Sequence, residues 1–514
     1  MQKSIASFQA EIKHVRVIDC TKKEPILFID IPGHRIYHFS DLPCSGRKRL
    51  KSSHDIYRIV RSSLLLNVLF VVLLPCRLFA DSVAGSDLTS SGRDLSINGY
   101  FSAKYVYRTA ETNDTRFTDQ DIFGELRIDA TTPKDNKYEF HFFGTLRDDL
   151  DGQSSGATFD PLKDIGNTYQ SHAHGYLYEA HLDINNPFPH VAQVRLGRQS
   201  GTRDEPVFFD GAAADINAAS KLNLTLYGGV AVHLYEIGYH WGDDALAGAG
   251  LDYSPVRSTK ISLDYLSVSD ARSYSPVTTE RDQMTSLKIW QSFSDLTKAS
   301  VKYRYLNSEP RDLSLRALSS FPEADTEVNI NYFRQFRVQN ELTNELALYY
   351  DILGQSSPYQ SYDVKARKLF GSHYAVDIGY FKRALLDDDQ KSAFDQDYNR
   401  AFLLFELIDL PMDGLSFTLI AERWKTTGRD YYSAGLDMGY AFKSVKNARI
   451  SAGTYYSLYK YDYYIEPGVR QNVRTYYVNG RYPLGRSLSI NGSYEYEHSL
   501  ENYQTLKLGM RYDF

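Results

Sequence analysis

From Leu95 to its last residue the chain alternates apolar and polar side chains in runs of about 9–13 residues, each ended by a turn signal. Leu95, Ile97, Gly99, Phe101, Ala103, Tyr105 and Tyr107 share one face of the first run, and Ser96, Asn98, Tyr100, Ser102 and Lys104 share the other. Ile122, Leu126, Ile128 and Ala130 alternate with Phe123, Glu125, Arg127 and Asp129 in the next. Tyr138, Phe140, Phe142, Gly144 and Leu146 then alternate with Glu139, His141, Phe143, Thr145 and Arg147. A helix would bring its apolar residues back every three or four positions, and these runs do not. A period of two sustained over some four hundred residues predicts strands throughout and very little helix.

The turn signals alternate in length. Short ones are read at Thr132–Lys137, Asn186–His190, Asn217–Lys221, Pro255–Thr259, Ser294–Lys298, Gln339–Thr343, Phe370–His373, Asp409–Gly414, Lys443–Asn447 and Pro483–Arg486. Longer connections are read between them, at Asp148–His172, Ser269–Arg281, Ser308–Asp325 and Leu385–Gln396. Short turns on one rim and long loops on the other mark an up-and-down barrel of the outer-membrane type. Ten short turns with both termini on their side predict an all-β fold: a transmembrane antiparallel up-and-down β-barrel of about 22 strands, range about 18–24. The segments between Val207 and Asp252 alternate weakly and set most of that range.

Composition enters as a test of the membrane reading. The mean hydropathy of −0.42 excludes a polytopic helical membrane protein. It does not exclude a spanning barrel, whose lumen face is polar. The chain carries 41 Tyr and 27 Phe against 3 Trp, and Tyr suits both strands and membrane–water interfaces. Soluble β-domains in tandem would need linkers, and no Gly/Ser- or Pro-rich stretch follows Ala80. A propeller would show a blade motif, and none repeats.

The three cysteines, Cys20, Cys44 and Cys76, all precede Ala80, so disulfides and Cys-held metals or haem are excluded for the body of the chain. Residues 1–80 hold 13 Lys and Arg against 6 Asp and Glu. That leaves the remainder with 45 basic and 58 acidic residues, a net charge of −13. An acidic body makes nucleic acid an unsuitable partner.

Residues 57–80 read YRIVRSSLLLNVLFVVLLPCRLFA. Arg58 and Arg61 precede an apolar run from Leu64 to Leu74, and Ala80 is a small residue fit for cleavage. The run is short of the about 20 residues a spanning helix needs, so the segment is expected to be a secretory signal peptide. Residues 1–56 before it are expected to be a mis-assigned or disordered leader. Residues 81–94 would form a periplasmic N-terminal segment and residues 95–514 the barrel.

The final strand runs Leu506, Leu508, Met510, Tyr512 on one face and ends on Phe514. It closely resembles the C-terminal strand of bacterial outer-membrane β-barrel, porin-like proteins. The resemblance implies a closed barrel, a periplasmic C-terminus, outer-membrane lipid around it, and the barrel-assembly machinery as the partner that reads Tyr512 and Phe514. Closure is also required physically, since an open sheet edge in lipid leaves backbone groups unpaired. A second, single-hairpin resemblance lies in VRLGRQSGTRDEPVFFDGAAA, residues 194–214, which is similar to a hairpin of general and polysaccharide-export porins. Alternation places Arg195 and Gly197 on the lumen side there, with Val194 and Leu196 on the lipid side.

Metalloprotease and nucleotide-binding motifs are missing: the chain has no HExxH or Walker loop. His172, His174, His233 and His240 fall at expected loop ends, where a barrel enzyme would keep its catalytic pair. The body is expected to be non-enzymatic, without cofactor or metal. The acidic connection Asp148–His172 carries Asp148, Asp149, Asp151, Asp160 and Asp164. Folded inward, it would face the wall arginines Arg127, Arg147 and Arg195 and set a transverse field across a constriction. The leading expectation is an outer-membrane channel for passive passage of small polar solutes, favouring cations. The alternative is a structural barrel around a partner such as a multihaem cytochrome, because 22 strands without a plug enclose a wide lumen. A receptor with its own plug does not fit the length.

Overall fold

The computed structural model describes residues 95–514 apart from parts of the connections. Those are 113–114, 133–135, 152–172 except Leu162, 201–206, 233–243, 270–280, 338–356, 388–396, 427–428, 461–470 and 499–501. The expected leader, signal peptide, Ala80 cleavage site and periplasmic segment therefore lie outside the described residues.

Twenty-two antiparallel strands follow one another along the chain. They are β1 (Ser96–Thr112), β2 (Thr115–Thr131), β3 (Tyr138–Asp149), β4 (Ala173–Phe188), β5 (Val191–Ser200), β6 (Phe208–Ala219), β7 (Leu222–Ala231) and β8 (Ala245–Val256). Next come β9 (Thr259–Val268), β10 (Asp282–Ser292), β11 (Thr297–Leu306), β12 (Glu309–Phe321), β13 (Thr326–Gln335), β14 (Tyr359–Phe370) and β15 (Tyr374–Leu385). The last seven are β16 (Tyr398–Ile408), β17 (Leu415–Thr426), β18 (Arg429–Ala441), β19 (Arg449–Lys460), β20 (Gln471–Pro483), β21 (Leu488–His498) and β22 (Asn502–Asp513). Each strand pairs with the next, and β22 pairs back onto β1, so the sheet closes on itself and leaves no edge. The only helical element among the described residues is a 3-10 turn at Pro322–Ala324.

The alternation read in the sequence sorts the two faces. Leu196, Ile330, Ile378, Leu403, Leu419 and Leu508 lie 44% to 53% exposed, although they are among the most apolar side chains in the chain. Water would penalise such an array at about 25 cal/mol per Å², whereas lipid accommodates it. Tyr253, Tyr374, Tyr440 and Tyr482 flank this belt near the short turns, and Tyr265, Tyr305, Tyr362, Tyr432 and Tyr476 flank it toward the other rim. Two aromatic girdles around an aliphatic band are what a bilayer selects for.

The seam between β1 and β22 is closely packed. Gly99 and Phe514 exchange two backbone hydrogen bonds, each 3.0 Å, and the Phe514 ring lies over the glycine. A Cβ at Gly99 would overlap the Arg127 carbonyl oxygen and come 2.8 Å from Phe514 Cζ, so this position needs a residue without one.

Nine of the ten expected short turns fall where strands meet at one rim. One of the expected long connections is corrected. The segment Ser308–Asp325, expected as a long connection, is mostly strand β12. It is entered through a tight turn at Asn307 and Ser308, both at positive φ (51° and 66°), and left through Pro322–Ala324. Two successive residues at positive φ form the hairpin turn whose twist matches the flanking strands. Asn-Ser signals it less strongly than Asn-Gly, and Pro310 argued against a strand. Pro310 is accommodated because the register shifts between Arg304 and Tyr305, beside it. The expected turn Gln339–Thr343 lies outside the described residues, within the link from β13 to β14 at the long-loop rim.

The weak alternation from Val207 to Asp252 also has a cause. Phe209, Ala231, Leu246, Leu266 and Met284 face inward on β6–β10 and form one buried apolar cluster with Val207 and Val268. Both faces of these strands are apolar near the long-loop rim, and the period-two contrast fades.

Candidate pore wall

Alternation along β1–β5 turns one row of charged side chains inward at each level of the barrel. Near the long-loop rim, Arg108 of β1 pairs with Asp119 and, at 3.0 Å, with Asp121 of β2. Arg147 of β3 reaches Asp121 Oδ1 from the other side through Nε at 3.2 Å and Nη2 at 2.9 Å. Asp149 sits directly opposite Asp121 in the ladder. The expected constriction acids are thus anchored at the end of β3: Asp148 and Asp149 are buried and Asp151 is half-buried.

A second level lies deeper in the barrel. Arg127 donates to Asp129 on its own strand at 3.1 Å. Arg195 of β5 grips Asp183 of β4 with both Nε (2.7 Å) and Nη2 (2.9 Å), and Gln193 adds a third bond at 3.1 Å. Asp183 is nearly fully buried, so this paired geometry matters: an Arg fork on a carboxylate is among the strongest polar contacts a wall can hold. Of the six residues expected at a constriction, Arg127, Arg147, Asp149 and Arg195 sit on the inner face of β2, β3 and β5, Asp151 lies just beyond β3, and Asp148 pairs with Ile122 on the opposite face. Arg147, Arg127 and Arg195 each bond laterally to an acid of an adjacent or the same strand, in addition to facing the lumen. Asp160 and Asp164 lie outside the described residues. His174 lies on β4 with its ring 6.5 Å from that of Tyr176, and His172, His233 and His240 lie outside the described residues.

Sequence reading missed the acids that hold these arginines. Asp183 was discoverable: it and Arg195 lie symmetrically about Pro189 in the β4–β5 hairpin, so the tight turn alone predicts that they face each other. Asp121 was not, because which lumen residue meets Arg147 depends on the register across the β2–β3 connection.

The wall is not acidic all round. Near the short-turn rim, a cavity of about 970 Å³ on the inner face of β17–β22 is lined by Arg449, Arg481 and Arg511 together with Asp437, Asn479 and Asn491. Arg449 and Arg481 face each other directly in the ladder.

Asp151 lies beyond the end of β3, and its carboxyl is pushed up to about 6 by burial and by the Asp149 carboxylate, against the pull of the Gln120 N–H that donates to it at 3.0 Å. Its charged form is disfavoured in the fold, so this group costs stability as pH rises from the ordinary carboxylate range through about 6. The wild type should gain on the order of 1 kcal/mol relative to Asp151→Asn between pH 7 and pH 5, a figure reduced for half-exposure. Urea unfolding midpoints at the two pH values test this; a constant difference between the two proteins would remove Asp151 from the titration.

No family model matches the sequence, and no curated protein matches it. Among solved structures, the chain is similar to Pseudomonas aeruginosa OccK2 (OpdF), at 11% identity and a TM-score of 0.39, covering 82% of this chain and 98% of that one. It is similar to P. aeruginosa OccK9 (OpdG), at 9% identity and a TM-score of 0.40, covering 82% and 99%. Acinetobacter baumannii OccAB4 follows at 11% and 0.37, covering 82% and 98%. Likeness at this level says nothing of solute or role, and the nature of the molecule rests on its own closure, aliphatic belt and aromatic girdles. In fold, the described residues form a closed 22-stranded antiparallel up-and-down β-barrel of the transmembrane kind.

Proposed function

We propose that the barrel is a passive outer-membrane channel for small polar solutes, with a preference for cations set at its long-loop mouth. The observation that carries this reading is the inner face. Charged and amide side chains point inward on strands around the whole circumference, including Glu125, Asp183, Asp252, Lys302, Asn331, Asp363, Arg400, Asn479 and Lys507. Such groups are stable beside water and costly in a dry core. The cation preference follows from Asp119, Asp121, Asp149 and Asp151, which outnumber Arg108 and Arg147 at the mouth. The arginines of β19, β20 and β22 oppose it at the other end.

Purified protein in planar bilayers under a salt gradient tests both parts. Steady conductance steps with a reversal potential of the cation-selective sign are expected. Charge reversal of Asp149 and Asp151 should move that potential toward zero. Heat-modifiable, correctly inserted protein that conducts nothing would overturn the channel and turn attention to a barrel that sheathes a partner. Conductance without selectivity would overturn only the role of the mouth acids.

A further inference from the structure

Two histidines face each other on the inner wall. His141 of β3 lies directly opposite His181 of β4 in the ladder, and their rings stack with centroids 4.9 Å apart. Next along the same ladder, Glu139 lies opposite Asp183. We propose that His141, His181 and Asp183 form a site for one borderline divalent cation of the Zn²⁺ class.

The hydrogen bonds behind the rings carry this assignment. His141 Nδ1 lies 2.7 Å from Asp129 Oδ1, and His181 Nδ1 lies 3.2 Å from the Arg198 carbonyl oxygen. Both partners only accept, so each Nδ1 carries the proton and each Nε2 keeps its lone pair. A carboxylate or carbonyl behind the distal ring nitrogen is the arrangement that orients metal-bound histidines and raises their basicity. The two Nε2 atoms point to common ground. His141 Nε2 is 3.9 Å from Asp183 Oδ2 and 3.7 Å from Glu139 Oε2, and His181 Nε2 is 3.9 Å from Asp183 Oδ1. These separations are too long for hydrogen bonds, so the lone pairs are not spent on one another.

One ligand atom from each of the three residues lies within 4.8 Å of the other two. Around a tetrahedral ion with bonds of about 2.1 Å, ligand atoms stand about 3.4 Å apart, so shifts of roughly 1 Å close the site. Asp183 already holds Arg195 and Gln193, but a carboxylate offers about four lone-pair positions, and these donors take three, which leaves one for an ion. Asp129, Glu139, Glu179 and Asp183 outnumber Arg127 and Arg195 nearby, which leaves the spot favourable for a cation. Two imidazoles and one carboxylate suit Zn²⁺, Ni²⁺ or Cu²⁺ and not the oxygen-preferring Ca²⁺ or Mg²⁺. The site does not depend on whether the barrel conducts.

Zn²⁺ titrated into untagged, detergent-folded protein by calorimetry tests the assignment. One ion per barrel is expected, bound at least tenfold more weakly by His141→Asn and by His181→Asn, and unchanged by His373→Asn at the short-turn rim. Asp129→Asn, which removes no ligand, should weaken binding about tenfold through the His141 tautomer. Bound Zn²⁺ should also shield His141 and His181 of the wild type from a histidine-modifying reagent, read by peptide mass, which needs no variant. No Zn²⁺ uptake, equal affinity in both histidine variants, unshielded histidines, or Ca²⁺ bound as tightly as Zn²⁺ would each overturn the site.

Discussion

Gly99→Val is expected to reduce the yield of folded barrel at least tenfold. The valine Cβ would occupy the space of the Arg127 carbonyl oxygen on β2 and press against the Phe514 ring on the other side. The ring could turn, but the Arg127 oxygen is backbone and cannot swing away. The backbone must shift, and the two Gly99–Phe514 hydrogen bonds that begin the β1–β22 pairing are lost with it. Elsewhere in a sheet such a defect is local. At the closing seam it leaves two strand edges facing lipid, where unpaired backbone groups cost several kcal/mol each. Gly480→Val is the matched control, because a Cβ there meets nothing within 4 Å. Heat-modifiability on a denaturing gel reads the folded fraction of both. Equal folding of the two variants would show that the seam tolerates a side chain and that closure does not rest on this glycine.

Arg195→Ala is expected to destabilise the barrel by about 3 kcal/mol, the lower end for breaking a buried ion pair because Arg195 keeps some exposure. The loss comes less from the attraction removed than from what remains: the Asp183 carboxylate, nearly fully buried, left with Gln193 alone among the donors that bond it. The double variant Asp183→Asn/Arg195→Gln keeps the shape, carries no charge, and should recover most of the stability. Urea unfolding from detergent micelles measures all three proteins. A double variant as unstable as Arg195→Ala would mean that the pair acts through packing and not through charge.

These two residues also show how far a sequence reaches into the wall. Arg195 could be placed on the lumen side from alternation alone, and Asp183 follows once the tight turn around Pro189 sets the register of its hairpin. Arg127 and Arg147 could be placed inward in the same way, but their partners could not be named. Arg147 meets Asp121 through a pairing whose register is set by packing on both sides of β2 and β3, and the chain between those strands carries no two-residue turn to count from. The acids Asp148, Asp149 and Asp151 were legible as a group from their spacing. Their attachment to the end of β3, beside Arg147, was not, because a run of Asp reads alike in a wall and in a loop.

The strand period, the count of about 22, the lipid-facing belt and closure on Phe514 were all determined by the sequence itself. Each depends on a local rule: side chains alternate along a strand, turns need particular backbone angles, and a sheet in lipid must have no edge. The exchange of Ser308–Asp325 from loop to strand, the inward apolar cluster of β6–β10 and the facing of His141 on His181 were decided only by the tertiary structure. The physical reason is common to the three. Which strand neighbours which, and at what register, is a property of the closed cylinder, where pairing energy is summed around all 22 strands and no single hairpin sets it.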